Sequence, residues 1–412
     1  MRVFKFFEIS AALAVLAASL CTNVVWAQDQ IAIYRVLPVQ VTRDSVLKLA
    51  REAFSMASPQ VSEDDIAFML AQEQKRLTVW KASGAMLFAD DSKLWNPDYQ
   101  ITSPTDPESA AQLAVQFLKT YNLLPPQAVL EGIFAPFAQV HYVKGADGQE
   151  VPNHWSVRFT LLVDSGTPLG LVSIDKAQLL LQLGQNGEVI GLDFHWRNLG
   201  ERQLVPRVTA AQARELLAWK NKLPLSQVPP INNPLHPQYT LHYPEVPQAW
   251  LYPLYHLLLI DPERGQMVGG IVPASRFSVL ARIASPQPDQ SFPPDTPVEL
   301  RAEVREGFGS PPYRYAWYSV RDGLISQAAV ARVRLSPGVH QLWLYVTDRN
   351  GTQDSQTLYI NVEGESSATS GTSLWQLPLI ASGAGLGMIG VLGFKRRSRR
   401  LGIVALLLLS LA

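Results

Sequence analysis

The chain has 412 residues, of which 47% are hydrophobic and 17% charged, and its 35 basic side chains balance 35 acidic ones. Charge is low against the roughly 25% usual in globular proteins, and the zero balance excludes a bulk polyanion binder such as a non-specific nucleic-acid protein. The one cysteine, Cys21, lies in a segment expected to be removed, so the mature chain is expected to hold no disulfide, thiolate metal site, iron–sulfur cluster or cysteine nucleophile.

Residues 1–27 carry a basic start (Arg2, Lys5), an apolar run from Ile9 to Leu20 and small residues before Val25-Trp26-Ala27-Gln28, the pattern of a secretory signal peptide. Beyond it, helix start signals alternate with hairpin-like stretches. Thr42 precedes a stripe of Val46, Leu49, Ala50, Ala53 and Phe54 at helical spacing; Ser62 with Asp65 is read as the cap of a second helix carrying Ile66, Met69 and Leu70. Asp106-Pro107 opens a third helix with Ala114, Phe117, Leu118 and Tyr121 on one side, and Thr209 with Gln212 forms a capping-box pattern for a fourth. Between them, 76–81 and 85–89 read as a hairpin, Trp155 to Val163, Ala177 to Leu183 and Val189 to Trp196 as a meander, and Gln238 to Tyr243, Trp250 to Ile260 and Gln266 to Val272 as further strands.

The pattern predicts an α+β fold of repeated helix plus antiparallel-strand modules: an N-terminal module at 28–104, a second at 105–204 and a third at 205–284. A proline-rich stretch, Ala284 to Asp289 with Phe292-Pro293-Pro294, is read as a stiff linker. Short alternating segments at 8 to 12 residue spacing then predict a β-sandwich over 285–363, with Trp317 in its core. Residues 364–373 are Gly/Ser/Thr-rich and read as a flexible tether. The next 21 uncharged residues, 374–394, would reach about 30 Å as a helix, enough for a transmembrane helix. Residues 395–412 begin with five positive charges in six positions, which favours a cytoplasmic flank and a single-pass type I topology, and end in an apolar tail too short to span unaided. Removing the charges of the signal peptide and of this cluster leaves 28 basic against 34 acidic side chains outside, a mildly acidic body.

The helix Val208 to Leu217 leading into Leu251-Tyr252-Pro253-Leu254-Tyr255-His256, and Gly184 to Leu192 ending in Trp196-Arg197, resemble PepSY-like tandem modules of exported bacterial proteins. The segments 311–319 (PPYRYAWYS) and 335–351 (LSPGVHQLWLYVTDRNG) resemble a PKD or related immunoglobulin-like repeat without the cysteine pair of antibody domains. The first resemblance implies non-catalytic binding or peptidase inhibition, and the second a module that spaces or presents another domain; neither supplies a catalytic residue.

Chemistry-bearing motifs are sparse. There is no HExxH and no GxSxG, and the GxGxxG match at 385–390 falls inside the apolar span, where no βαβ unit can form around it. Gly383 and Gly387 have a spacing that lets membrane helices approach. The closest histidine grouping, His236 and His242 with Glu245, lies in a proline-rich stretch and reads as ordinary turn residues before it reads as a metal site. Glu63, Asp64 and Asp65 read as a helix start, Asp90 and Asp91 as a hairpin end, and Asp322, Asp348 and Asp354 as sandwich turns, with calcium as the sharper reading for the last three. Ten tryptophans raise a carbohydrate-binding reading; Trp80, Trp196, Trp317 and Trp343 lie in strand patterns and are expected buried, while Trp95, Trp155 and Trp250 are the candidates for exposure. No catalytic, cofactor-binding or metal residue is assigned. The expected protein is therefore not an enzyme and needs no cofactor. It is a membrane-tethered extracytoplasmic binding or interaction protein, bacterial and at the cell surface, with a cell-wall polymer, a peptide or a peptidase as partner and no nucleic acid. The alternatives are a PepSY-type peptidase regulator and, behind it, a hydrolase whose acids meet only in the fold. The three modules are expected to bind and the sandwich to act as spacer.

Overall fold

The computed structural model describes residues 30–129, 138–145, 147–261 and 266–364. The expected signal peptide, transmembrane helix, basic cluster and apolar tail lie outside the described residues, and among the described residues no helix is long and apolar enough to cross a membrane.

Three α-helices stand against twenty-four strands among the described residues, so the protein is mostly β and the predicted α+β series of helix-plus-strand modules does not form. Two of the helices follow directly from local signals. In α1, Arg43–Phe54, Thr42 Oγ1 accepts from the Ser45 N–H at 3.2 Å and Ser45 Oγ accepts from the Thr42 N–H at 3.1 Å, a reciprocal cap. In α2, Pro107–Thr120, Asp106 accepts from Ser109 N–H and proline takes the first turn, where its missing N–H costs nothing. Both helices bury their apolar stripes, Val46, Ala50 and Phe54 from α1 and Ala110, Ala114 and Leu118 from α2, in one common core.

The second predicted helix is instead a strand pair, Gln60–Glu63 and Ala67–Gln72. Asp64 Oδ1 accepts from the N–H groups of Ile66 and Ala67, both at 2.8 Å, which turns the chain back on itself. Phe68 and Leu70 then point into the core while Ile66 and Met69 face water, a period of two that the spacing of Ile66, Met69 and Leu70 disguised as helical.

The large sheet runs straight through the expected module boundaries. Met86–Asp90 pairs with Val189–His195 from the second expected module, and Leu171–Asp175 pairs in parallel with Gln238–Thr240 from the third. The first strand, Gln30–Val36, joins a separate three-stranded sheet between Leu199–Pro206 and Trp250–Leu251. A unit that takes its strands from so far along the chain cannot bury its core alone, which is the physical reason that repeated modules are replaced by one continuous body. The third helix, α3, Ala210–Lys220, closes the far end of that body on Tyr255, Val268 and Val272.

Residues 281–362 form an immunoglobulin-like β-sandwich. One sheet holds Ala281–Ser285, Val298–Val304 and Val330–Val333; the other holds Gln290–Phe292, Gln353–Val362, Gly338–Thr347, Arg314–Ser319 and Gly323–Ser326. Trp317 is fully buried between them with Leu300, Leu344 and Ile360, and its Nε1–H donates to Ala328 O at 3.0 Å. The stretch read as a proline linker is the crossing between the two sheets, and the strand Ala281–Ser285 begins upstream of it.

The body and the sandwich meet through buried polar contacts. Lys220 Nζ, at the end of α3, donates to Asp354 Oδ1 at 2.6 Å and to Ile271 O at 3.0 Å, while Asp354 Oδ2 accepts from Ala281 N–H at 2.8 Å. Both charged side chains are almost fully buried. Removing one partner of such a pair leaves an uncompensated charge, at a cost of about 3–5 kcal/mol. Asp354→Ala is therefore expected to lower the unfolding free energy in urea by that amount. The double variant Lys220→Met/Asp354→Leu should recover about half of it, keeping a cost of about 1–3 kcal/mol for the Ala281 N–H left without an acceptor.

Candidate functional site

Along Gly338–Thr347 the side chains alternate: His340, Leu342, Leu344 and Val346 enter the sandwich core, and Gln341, Trp343, Tyr345 and Thr347 face outward. Tyr318 lies directly opposite Trp343 on the neighbouring strand, and Tyr359 opposite Gln341 on the other. The result is an aromatic face on the outside of the five-stranded sheet. The Trp343 and Tyr345 rings are 6.1 Å apart with planes within 8°, and Tyr318 meets Tyr345 edge-on at 6.0 Å. Burial, then the neighbouring phenols of Tyr243 and Tyr318, push the Tyr345 hydroxyl above its ordinary value. Gln341, Thr347, Ser355 and Thr357 give the face a hydrogen-bonding fringe, with exposed Arg314 opposite Thr347 at its edge.

Tyr243 comes from the body, and a buried cation holds its loop in place. The Arg197 guanidinium donates to Tyr243 O at 3.1 Å, Val246 O at 2.6 Å and Ala82 O at 3.3 Å, and burial lowers it to about 10. His195 Nε2 donates to His242 O at 3.0 Å, and Lys176 Nζ stands 4.4 Å over the Tyr243 ring. Tyr243 is thereby held exposed on the body, near enough for its phenol to act on that of Tyr345.

A second cluster sits on the body. Trp95, half exposed, packs edge-to-face on His154 at 4.6 Å and on His141 at 5.3 Å, and the two imidazoles stack at 4.7 Å. A third constellation has the composition of a hydrolase triad without its arrangement. Ser319 Oγ contacts His340 Nδ1 at 2.8 Å and Asp322 lies 3.8 Å from the same nitrogen, while His340 Nε2 donates to Ser336 O at 2.5 Å. Ser319 is buried and its Oγ accepts from Arg321 and Asp322 N–H groups, so these residues close a turn. A triad needs nucleophile and orienting carboxylate on opposite ring nitrogens of the histidine, whereas Ser319 and Asp322 both meet Nδ1.

The residues singled out from sequence are dispersed. His236 is exposed, His242 contacts Pro247 O at 3.3 Å, and among the described residues no three His, Cys, Asp or Glu side chains gather for a metal. Asp348 accepts from Thr352 and Ser310 N–H groups, Asp322 from Ser336, and Asp354 is committed to Lys220 and Ala281, so the three sandwich aspartates sit in separate structural roles. Asp64 turns a strand pair and Asp90 is buried in its hairpin. Of the tryptophans expected exposed, only Trp95 is; Trp155 is buried with Nε1–H on Pro104 O at 2.9 Å, and Trp250 packs between Arg35 and Phe277. Trp343, expected buried, lies on the outer face. The signal available for it was alternation with Leu342 and Leu344, which places Trp343 and Tyr345 together on the opposite side.

No family model matches the chain. No curated protein matches it either. The PepSY and PKD resemblances therefore find no support, and the sandwich keeps only its immunoglobulin-like architecture. Among solved structures, a fibronectin(III)-like module of CbhA from Clostridium thermocellum is 19% identical, with a TM-score of 0.19, and covers 20% of this chain and 96% of that one. The extracellular domain of a B. thetaiotaomicron protein described as a hybrid two component system is 8% identical, with a TM-score of 0.16, over 74% of this chain and 31% of that one. A related extracellular domain, described as that of a one component system, is 11% identical at a TM-score of 0.16 and covers 73% of this chain and 43% of that one. The chain thus spans less than half of the two longer structures, and superpositions this loose carry no argument about activity.

The histidines do carry a pH dependence. Burial, with the neighbouring His141 adding to it, lowers fully buried His154 to about 4, against about 6.5 in the unfolded chain. Between those values the unfolded state takes up a proton that the folded state refuses, so stability present above pH 6.5 is lost as pH falls towards 4. The contribution is about 1.4 kcal/mol per pH unit and on the order of 3 kcal/mol in all. His141, His195, His242 and His256 are lowered in the same sense. Urea unfolding from pH 7.5 to 4.5 is expected to show this decline, and His154→Gln should flatten it by about one proton.

Proposed function

We propose that the protein is a non-catalytic, extracytoplasmic binding protein whose aromatic face holds a neutral glycan chain of the cell wall or its surroundings. The observation that carries this reading is the row Tyr318, Trp343 and Tyr345 on the outward side of the sandwich, with the phenol of Tyr243 near it. The C–H faces of pyranose rings stack on aromatic rings of this kind, and the amides and hydroxyls of Gln341, Ser355 and Thr357 can satisfy the sugar hydroxyls around them. The centre of the face is aromatic and its charges, Arg314 opposite Thr347 and Lys176 over Tyr243, stand at its edges, which suits a polymer of sugar rings that stack on aromatic surfaces.

The location belongs to the same reading. A signal peptide at 1–27, a tether at 364–373, a span at 374–394 and the basic cluster after it would hold the body outside the cell membrane with its C-terminal flank inside. Protease added to intact spheroplasts is then expected to remove the body and spare a short C-terminal fragment; a fully protected body would refute this topology.

The binding test uses the full chain on arrays of neutral glycans and on purified wall polymer. Trp343→Ala and Tyr318→Ala are each expected to weaken capture at least tenfold, a loss of about 1.4 kcal/mol, while leaving the unfolding midpoint close to that of the parent. Undiminished capture by both variants would place the site elsewhere, and turnover of the captured polymer would overturn the non-catalytic reading.

A further inference from the structure

The loop that carries Trp95 is held by an irregularity in a sheet. The strands Ala138–Lys144 and Glu150–Asp164 pair regularly up to His141 opposite His154, then slip by one residue so that Tyr142 faces Pro152 and Asn153 is left over. Such a bulge re-aims side chains, and here it gives the loop a completely buried carboxamide as its anchor. Asn153 Nδ2 donates to the carbonyls of Lys93, Asn96 and Tyr99 at 3.2, 2.9 and 3.0 Å, and Oδ1 accepts from Trp95 N–H at 3.0 Å and from His154 Nδ1–H at 2.8 Å. One side chain thus sets both the course of the loop and the orientation of the imidazole beside it.

The tryptophan held in this way is costly on two counts. Its backbone is in the left-handed region with φ 61°, an outlier for a bulky residue. Its side chain is 53% exposed, and it is the one tryptophan among the described residues to be exposed, although a large aromatic ring gains by burial. Backbone strain persists where surrounding bonds over-determine it, and it gathers at positions that contact ligands.

The ring distances fix how the indole lies. The imidazoles of His141 and His154 are stacked with centroids 4.7 Å apart, and the indole stands at 76° and 89° to them, at 5.3 and 4.6 Å. If its edge met the outer face of one imidazole, the other would lie a full ring spacing further away. The two similar distances place it alongside the pair instead. Rings packed edge to edge cannot approach so closely, so the face of the indole rests on the edges of both imidazoles, the arrangement that the ring quadrupole favours. The opposite face is turned away from the cluster, and the exposure of Trp95 belongs to it. Burial lowers both histidines, so the rings behind the indole are uncharged near neutral pH.

We infer that the outer face of Trp95 is a second carbohydrate-stacking site, which takes the C–H face of one neutral pyranose ring. A single open face suits a flat ligand laid upon it, whereas an organic cation is held by several rings that enclose it. Exposed Asp98 follows in the same pinned loop and can accept from sugar hydroxyls, which a bare aromatic ligand lacks. The indole is already immobilised by Asn153 and the two imidazoles, so little side-chain freedom is lost on binding. The site lies on the body and shares with the sandwich face only the class of ligand, so either can fail without the other.

The test removes the sandwich face and measures what remains. The full chain carrying Tyr318→Ala and Trp343→Ala is titrated at pH 7.5 with soluble neutral hexasaccharides of β-glucan, xylan and chitin type, read by calorimetry and by acrylamide quenching of tryptophan fluorescence. At least one of them is expected to bind at millimolar concentration and to shield one indole from acrylamide. Adding Trp95→Asn, which removes the ring and leaves a residue at home in the left-handed region, should abolish the shielding and weaken binding at least about tenfold, with the unfolding midpoint kept. Trp95→Tyr, which retains a flat aromatic face, should bind within about threefold of the Trp95 form, an outcome that distinguishes stacking from general destabilisation. No binding of any hexasaccharide, binding and shielding unchanged by Trp95→Asn, or displacement of the sugar by adenine at equal concentration would overturn the site.

Discussion

One carboxylate, Asp354, is asked to satisfy two halves of the molecule at once. One of its oxygens takes the ammonium of Lys220 from the body, and the other takes the backbone N–H of Ala281 from the first strand of the sandwich. It is the middle rung of a short ladder. Thr352 Oγ1 accepts from Val279 N–H at 3.0 Å and Gln356 Oε1 accepts from Ile283 N–H at 2.6 Å, so three alternate side chains of one strand serve three alternate amides of another. Where a sheet would use main-chain carbonyls, this edge uses side chains. Gln356 also donates to Lys220 O, and the Tyr252 hydroxyl donates to Gln353 O while accepting from Gln353 N–H. These contacts fix the sandwich against the body, and the adjacency of Tyr243 to Tyr345 depends on that fixed relation.

What could be read from sequence was mostly what is local. The caps at Thr42, Asp106 and Thr209 and the stripes behind them are decided within one or two turns of chain, and α1, α2 and α3 lie where those signals put them. Residues 60–72 failed because Ile66, Met69 and Leu70 satisfy a helical spacing while Phe68 and Leu70 satisfy a strand. The deciding event was a side-chain turn at Asp64 that pattern counting does not weigh. The continuous sheet was invisible for another reason. That Met86–Asp90 pairs not only with Lys75–Trp80 beside it in sequence but also with Val189–His195, a hundred residues on, is settled by long-range packing that leaves no local mark.

The sites show the same division. The sequence points Trp343 into the core because its strand is apolar on both faces, with Leu342 and Leu344 no more hydrophobic in appearance than Trp343 and Tyr345, which alternate with them. Only the partner sheet tells inside from outside. Trp95, His141 and His154 carry no motif at all: their meeting depends on a bulge at Asn153 and on three carbonyls gathered from a loop some fifty residues upstream. An arrangement that rests on an irregularity is the kind that regular patterns hide.

The way the last strand is seated has a mechanical consequence. Gln353–Val362 lies between Gly338–Thr347, which runs against it, and Gln290–Phe292, which runs with it. Its main-chain hydrogen bonds point across the strand. A pull on the residues that follow Val362 therefore acts along the strand and loads those bonds in shear, so that they resist together instead of opening one by one. The load then passes through Thr352, Asp354 and Gln356 into the first sandwich strand and, by way of Lys220, into the body. A protein held from its C-terminal side would feel traction on its bound surface as a force shared over many bonds, with Asp354 at the point where the two halves would otherwise be drawn apart.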